Sequence, residues 1–181
     1  EIATYEDGDR LYIVDVTGKV GVVDAYASYY NMDNADKQEI YNVGVAVPVV
    51  KDLKLSAEWM YGDADDSSDL DNNGYVAGLA YKGAKASKPG SWGIYANYYD
   101  MPALTYLKST NNTYANSVMD DWRAMKGDEI DGKPVEGWDG YKGFEVGANV
   151  ALAKNIVAAV KYYDLEAREG NADDQAIWSE V

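Results

Sequence analysis

Histidine and cysteine are both missing from this chain of 181 residues. Without cysteine there is no disulfide framework and no thiolate metal site. Without histidine the usual proton acceptor near neutral pH is gone, and no Ser–His–Asp arrangement can be assembled. An enzyme of this composition would need unusual carboxylate or lysine chemistry, so the reading is of a non-enzyme with no cofactor. Long apolar runs are missing too. The longest, residues 44–50, is strand-sized and contains Pro48, far short of the roughly 18–20 residues of a membrane-crossing helix. Positive charge is scarce: 16 Lys and Arg face 31 Asp and Glu, a net charge of −15. Phosphate would be repelled by that balance, which argues against a nucleic-acid partner. Phenylalanine occurs once, yet tyrosine occurs 17 times. A tyrosine joins an apolar ring to a wet hydroxyl and suits boundaries between hydrocarbon and water.

What is there is a rhythm of two. In residues 53–62, Leu53, Leu55, Ala57, Trp59 and Tyr61 share one parity, while Lys54, Ser56, Glu58 and Met60 share the other. A strand sends successive side chains to opposite faces, so one face is apolar and the other polar. The same pattern predicts strands at 10–16, 20–30, 39–50, 74–82, 91–100, 140–152 and 156–165, and the start of a ninth at 174–181. Pro48 cannot donate to a ladder and requires a bulge or strand end. Tyr141 has the opposite parity to Phe144, which implies a later strand start or a bulge.

Connections alternate in length. Shorter ones fall near residues 18, 51, 86 and 154, and longer or more polar ones near 34, 68, 120 and 170. All short turns therefore lie at one end of an up-and-down sheet. Tyr41, Trp59, Tyr61, Tyr75, Tyr98, Phe144 and Tyr162 sit on the apolar parity near the long-loop end, and Tyr81 and Trp92 near the short-turn end. Two aromatic belts separated by Val, Leu and Ala are the lipid-facing girdle of an antiparallel up-and-down transmembrane β-barrel. A soluble sandwich would also alternate, but it would need neither the belts nor charges on the inward parity. The mean hydropathy of −0.43 does not oppose this, because only alternate strand residues of a barrel meet lipid.

On this reading Lys54, Glu58, Lys82, Tyr95, Asn97, Glu145, Asn149 and Lys161 line the interior. There they either set the field seen by solutes or pair with one another to satisfy a polar interior. Small residues on the same parity, Gly44, Ala46, Gly78, Gly93 and Gly147, leave room for water. The connection 101–139 exceeds a hairpin loop. Within it Ser117 is placed to cap a short helix through Met125, which makes Asp120, Asp121 and Arg123 candidates for a constriction. The alternative is an outer loop packed on a neighbouring subunit or on head groups. Asp69, Asp71 and Asn73 match the opening of a Ca²⁺ loop, but Ala80 stands where the closing Glu is required. That rejects an EF-hand and leaves weak divalent binding as the most the segment offers.

Two segments carry a family resemblance: residues 81–102, YKGAKASKPGSWGIYANYYDMP, and 140–166, GYKGFEVGANVALAKNIVAAVKYYDLE. Both resemble, in strand and turn texture, the barrel of porins with an N-terminal S-layer homology (SLH) domain, outer-membrane proteins of diderm Firmicutes. The resemblance implies a trimeric porin in a bacterial outer membrane, among lipid and lipopolysaccharide, passing small hydrophilic solutes by passive diffusion. It also implies that the complete protein ties that membrane to a peptidoglycan-linked polymer through its SLH domain. Residues 1–181 would then be part of one barrel of roughly 16 strands, with nine present. Glu1 opens no leader pattern, and neither an SLH segment nor a terminal aromatic strand is seen, so a processed chain or an internal fragment is expected. The competing function is a non-conducting structural barrel or adhesin. The overall acidity suggests a mild cation preference, which the interior lysines would offset.

Overall fold

A computed structural model describes residues 2–4, 10–33, 37–64, 71–106, 129–130, 133–134, 140–168 and 173–181. The strands are β1 (Ile2–Thr4), β2 (Arg10–Val20), β3 (Val23–Asp33), β4 (Gln38–Val50), β5 (Leu53–Asp63), β6 (Asn73–Lys82), β7 (Trp92–Pro102), β8 (Glu129–Ile130), β9 (Lys133–Pro134), β10 (Gly140–Ala153), β11 (Ile156–Ala167) and β12 (Asp173–Glu180), with a 3₁₀ turn η1 (Ala103–Thr105) after β7. One antiparallel sheet runs in the order β1-β2-β3-β4-β5-β6-β7-β10-β11-β12, and β8 pairs with β9 separately. Nine of the ten strands in the large sheet are long, and each pairs with its predecessor among them. The fold is all-β and up-and-down, and the sheet is open rather than closed on itself.

The turns show why the chain reverses where it does. A two-residue turn that matches strand twist needs positive φ, and Gly21 (62°), Asp52 (65°) and Asn155 (64°) supply it. The first hairpin turns at Gly21-Val22, not at Thr17-Gly18-Lys19 as the composition there predicts. The register explains the difference. Pairing Val20 with Val23 keeps Val14, Val16 and Val20 on one face and sets Lys19 opposite Asp24, which it meets at 3.2 Å. Pro48 sits at a register shift between Pro48 and Val50, the bulge its missing N–H requires.

The sheet's exposure is inverted relative to a soluble sheet. Leu55, Trp59, Leu79, Ile94, Phe144, Val146, Val160 and Tyr162 are all exposed on one face, Phe144 by 56%. The opposite face carries the polar parity and most of the buried positions, including Gly44, Gly74, Gly93, Gly147 and Glu145. At the long-loop end that polar face turns apolar. Met60, Met101, Tyr141, Tyr163, Leu165 and Ala167 form a buried cluster, and Leu11 with Ile40 forms a second. Tyr141 thus belongs to this face in an uninterrupted strand, so neither a bulge nor a later start is needed. Each Leu, Ile or Met among them, once buried, contributes about 1.5–3 kcal/mol.

Candidate functional site

The polar face is the candidate site, and its register assembles it. Tyr26 on β3 pairs with Gly44 on β4, which pairs with Glu58 on β5. Because Gly44 has no side chain, the Tyr26 ring lies flat across it; a Cβ there would stand 2.2 Å from the ring. The phenol thereby reaches the third strand and donates to Glu58 at 2.6 Å, and the Asn42 amide donates to the other carboxylate oxygen. The arrangement recurs on β7 and β10. Tyr95 lies over Gly147, where a Cβ would stand 2.4 Å from its ring, and donates to Glu145 at 2.7 Å. Tyr99 donates to the second oxygen of the same carboxylate.

The predicted lining residues divide accordingly. Tyr95, Asn97 and Glu145 come together around Tyr99, to which the Asn97 amide donates at 3.3 Å. Glu58 heads a separate cluster. Lys54 and Lys19 both hold Asp24, and Lys161 is 3.2 Å from Glu180. Asn149 accepts the Ala84 N–H at 2.8 Å and so anchors the connection 83–91. Lys82 leaves the set. Its φ of 58° ends the alternation, and its ammonium lies 4.4 Å from the Trp92 ring centroid and 5.2 Å from that of Tyr81. Those rings belong to the apolar face, so attraction between cation and ring face draws the Lys82 ammonium to that side. The four glycines among the small residues do not leave open space. Tyrosine rings cover Gly44 and Gly147, Ser56 and Asn97 close on Gly78, and the Gly83 backbone lies over Gly93.

Across the apolar face the aromatic residues form a belt. Tyr29–Tyr41, Tyr41–Tyr61 and Trp59–Tyr61 ring centroids lie 5.0, 6.4 and 6.3 Å apart, and Tyr98–Phe144 4.9 Å. Tyr81 and Trp92 meet edge to face at 6.1 Å near the short turns. Tyr29 extends the belt by one strand. Its parity was hidden in the sequence by the misplaced first turn, as was Tyr26.

The start of the long connection resolves the direction of its first residues. Leu104 and Thr105 are buried on the polar face, above Gly62 and Gly74. A Cβ on Gly62 would stand 1.9 Å from the Leu104 carbonyl oxygen. Gln38 donates to the carbonyls of Leu104 and Tyr106 at 2.9 and 3.2 Å. Residues 103–106 therefore cross the polar face rather than rise away from it. The candidate constriction residues Asp120, Asp121 and Arg123, and the predicted helix from Ser117, lie outside the described residues.

The weak divalent-ion reading of Asp69, Asp71 and Asn73 falls partly outside the described residues. Asp69 lies outside the described residues, Asp71 accepts from the Arg168 guanidinium at 2.7 Å, and Asn73 accepts from the Trp59 indole at 3.1 Å. Arg168 also meets Asp100 at 2.6 Å, tying three strand ends together. Among the described residues no cluster of acidic side chains suits a metal ion, and no helix is long and apolar enough to cross a membrane.

No family model matches the chain, and no curated protein matches it significantly.

Proposed function

We propose that this chain is part of an outer-membrane β-barrel porin that passes small hydrophilic solutes by diffusion, without a chemical step. One observation carries the reading: the sheet exposes its large apolar side chains on one face and gathers hydrogen-bonded polar groups on the other. An exposed apolar face this extensive needs hydrocarbon or a partner against it, and the two aromatic belts match the interfaces of a bilayer. The long strands run from 8 to 14 residues, against the roughly 9–11 of a tilted membrane crossing. In hydrocarbon every backbone amide needs a partner, so the open sheet requires further strands to close it. The resemblance to SLH-domain porins supports a trimer in a diderm envelope. It also supports tethering to a peptidoglycan-linked polymer by a domain outside this chain.

A structural, non-conducting barrel is the second reading. The apolar cluster around Met60 and Tyr141 and the crossing segment 103–106 both fill space on the polar face. Refolding the full-length protein into planar bilayers separates the two. Steady single-channel conductance, with swelling of liposomes by small sugars, is expected of the porin. Folded, bilayer-inserted protein with no conductance would overturn it in favour of the structural barrel.

A further inference from the structure

Charge is sorted along this molecule. The chain is strongly acidic overall, yet Lys51, Lys54, Lys82, Lys85, Lys88 and Lys154 gather at its short-turn end. The carboxylates at that end are Asp24, Asp52 and Glu180, and Glu180 is met by Lys161. Asp24 is taken by Lys19 and Lys54. Among the described residues Lys82, Lys85 and Lys88 make no ion pair.

These lysines rim a groove of about 850 Å³ between the β4–β5 turn and the connection 83–91. Its lining mixes two chemistries. Lys54, Lys82, Lys85, Lys88 and Asp52 supply charge, and Val50, Leu53 and Trp92 supply apolar surface. Leu53 and Trp92 continue directly into the apolar face through Leu55 and Ile94. Lys82 is held at the junction, over the girdle rings.

We propose that this groove seats the phosphate headgroup of an anionic phospholipid from the leaflet on the turn side. The inference rests on the membrane reading above. A soluble anion would need only the ammonium groups. An amphiphile uses both parts of the lining, with phosphate at the lysines and acyl chain descending past Leu53 and Trp92. Lysines at a membrane surface each favour anionic lipid several-fold, and aromatic rings at headgroup depth fix the level.

The test reconstitutes the full-length protein in vesicles of phosphatidylcholine alone or mixed with phosphatidylglycerol. The protein is then extracted in mild detergent, and the retained lipid is weighed by mass spectrometry. Phosphatidylglycerol is expected to be enriched about tenfold over phosphatidylcholine. The combined variant Lys82→Gln, Lys85→Gln, Lys88→Gln is expected to lose that enrichment while its inserted fraction is unchanged. Lys142→Gln, at the opposite end, is expected to retain it. Insertion without enrichment, or enrichment unaffected by the triple variant, overturns this inference alone. Displacement by inorganic phosphate as effective as by lipid identifies a bare anion site and also overturns it. Failure to insert in either vesicle overturns the membrane reading and the inference together.

Discussion

At the scale of single residues, the polar face depends on what glycine omits. Gly44 and Gly147 let a tyrosine lie down on the sheet and bring its hydroxyl to a carboxylate. Gly44→Val would drive a side chain into the Tyr26 ring and break its bond to Glu58. A loss of about 1–3 kcal/mol is expected from the overpacking, measured as a lower urea midpoint of the folded, heat-modifiable form. Tyr26→Phe keeps the ring and removes the donor to the carboxylate, so a loss of about 1–2 kcal/mol is expected in the same assay. An unchanged midpoint in both would show that the stacked rings carry no stability. The sequence shows that Tyr95 and Glu145 share a parity, but not that they touch, because contact depends on register across strands. Tyr26 was hidden further, since its strand's phase hangs on a turn that composition misplaces. The wrong site has Thr, Gly and Lys, whereas the real one joins Gly21 to a valine. Only pairing with β2 distinguishes them.

At the scale of the strand, period-two alternation survives from sequence to structure in every long strand. It was legible because nearly all the large exposed apolar residues fall on one parity. Trp178 on β12 is an exception, on the polar parity and half exposed at the sheet's edge. The alternation also makes the membrane reading testable one residue at a time. Val146→Arg is expected to cost about 2–4 kcal/mol of folding into vesicles if that side chain faces the mid-bilayer. Ser56→Arg, on the polar face, is expected to cost much less. Equal penalties would remove the distinction between faces. Where the sequence fell short, the cause is tertiary. Met60, Tyr141 and Tyr163 lie on the polar parity, yet they build an apolar cluster with Met101 of β7, against which Tyr106 of the crossing segment packs. No local pattern announces that a connection will cross a sheet.

At the scale of the molecule, the polar face has a sign. Lys54 shares Asp24 with Lys19, Lys161 meets Glu180, and Lys82 lies over the Tyr81 and Trp92 rings. Glu58 and Glu145, by contrast, are met by phenols and an amide, all neutral. A reversal potential in a salt gradient is expected to show cation preference, and Glu58→Gln with Glu145→Gln to diminish it. Anion preference would contradict this account. The crossing segment yields a second expectation. Gly62→Ala would press on the Leu104 backbone and displace residues 103–106, so single-channel conductance should rise. No change in conductance would show that this segment does not narrow the path.

The connection 83–91 reaches past its own hairpin. Gly90 donates to Ala151, Ala151 to Ser91, and Asn155 to Ala86. It thus buckles β7 to β10 at the end remote from the 101–139 excursion. The two strands can begin to zip from that buckle, so their alignment need not be dictated by the excursion's span. Lengthening or trimming that connection beyond residue 106 should leave the scaffold's assembly intact. That makes it a natural place for relatives to diverge and for an engineered epitope to be spliced in.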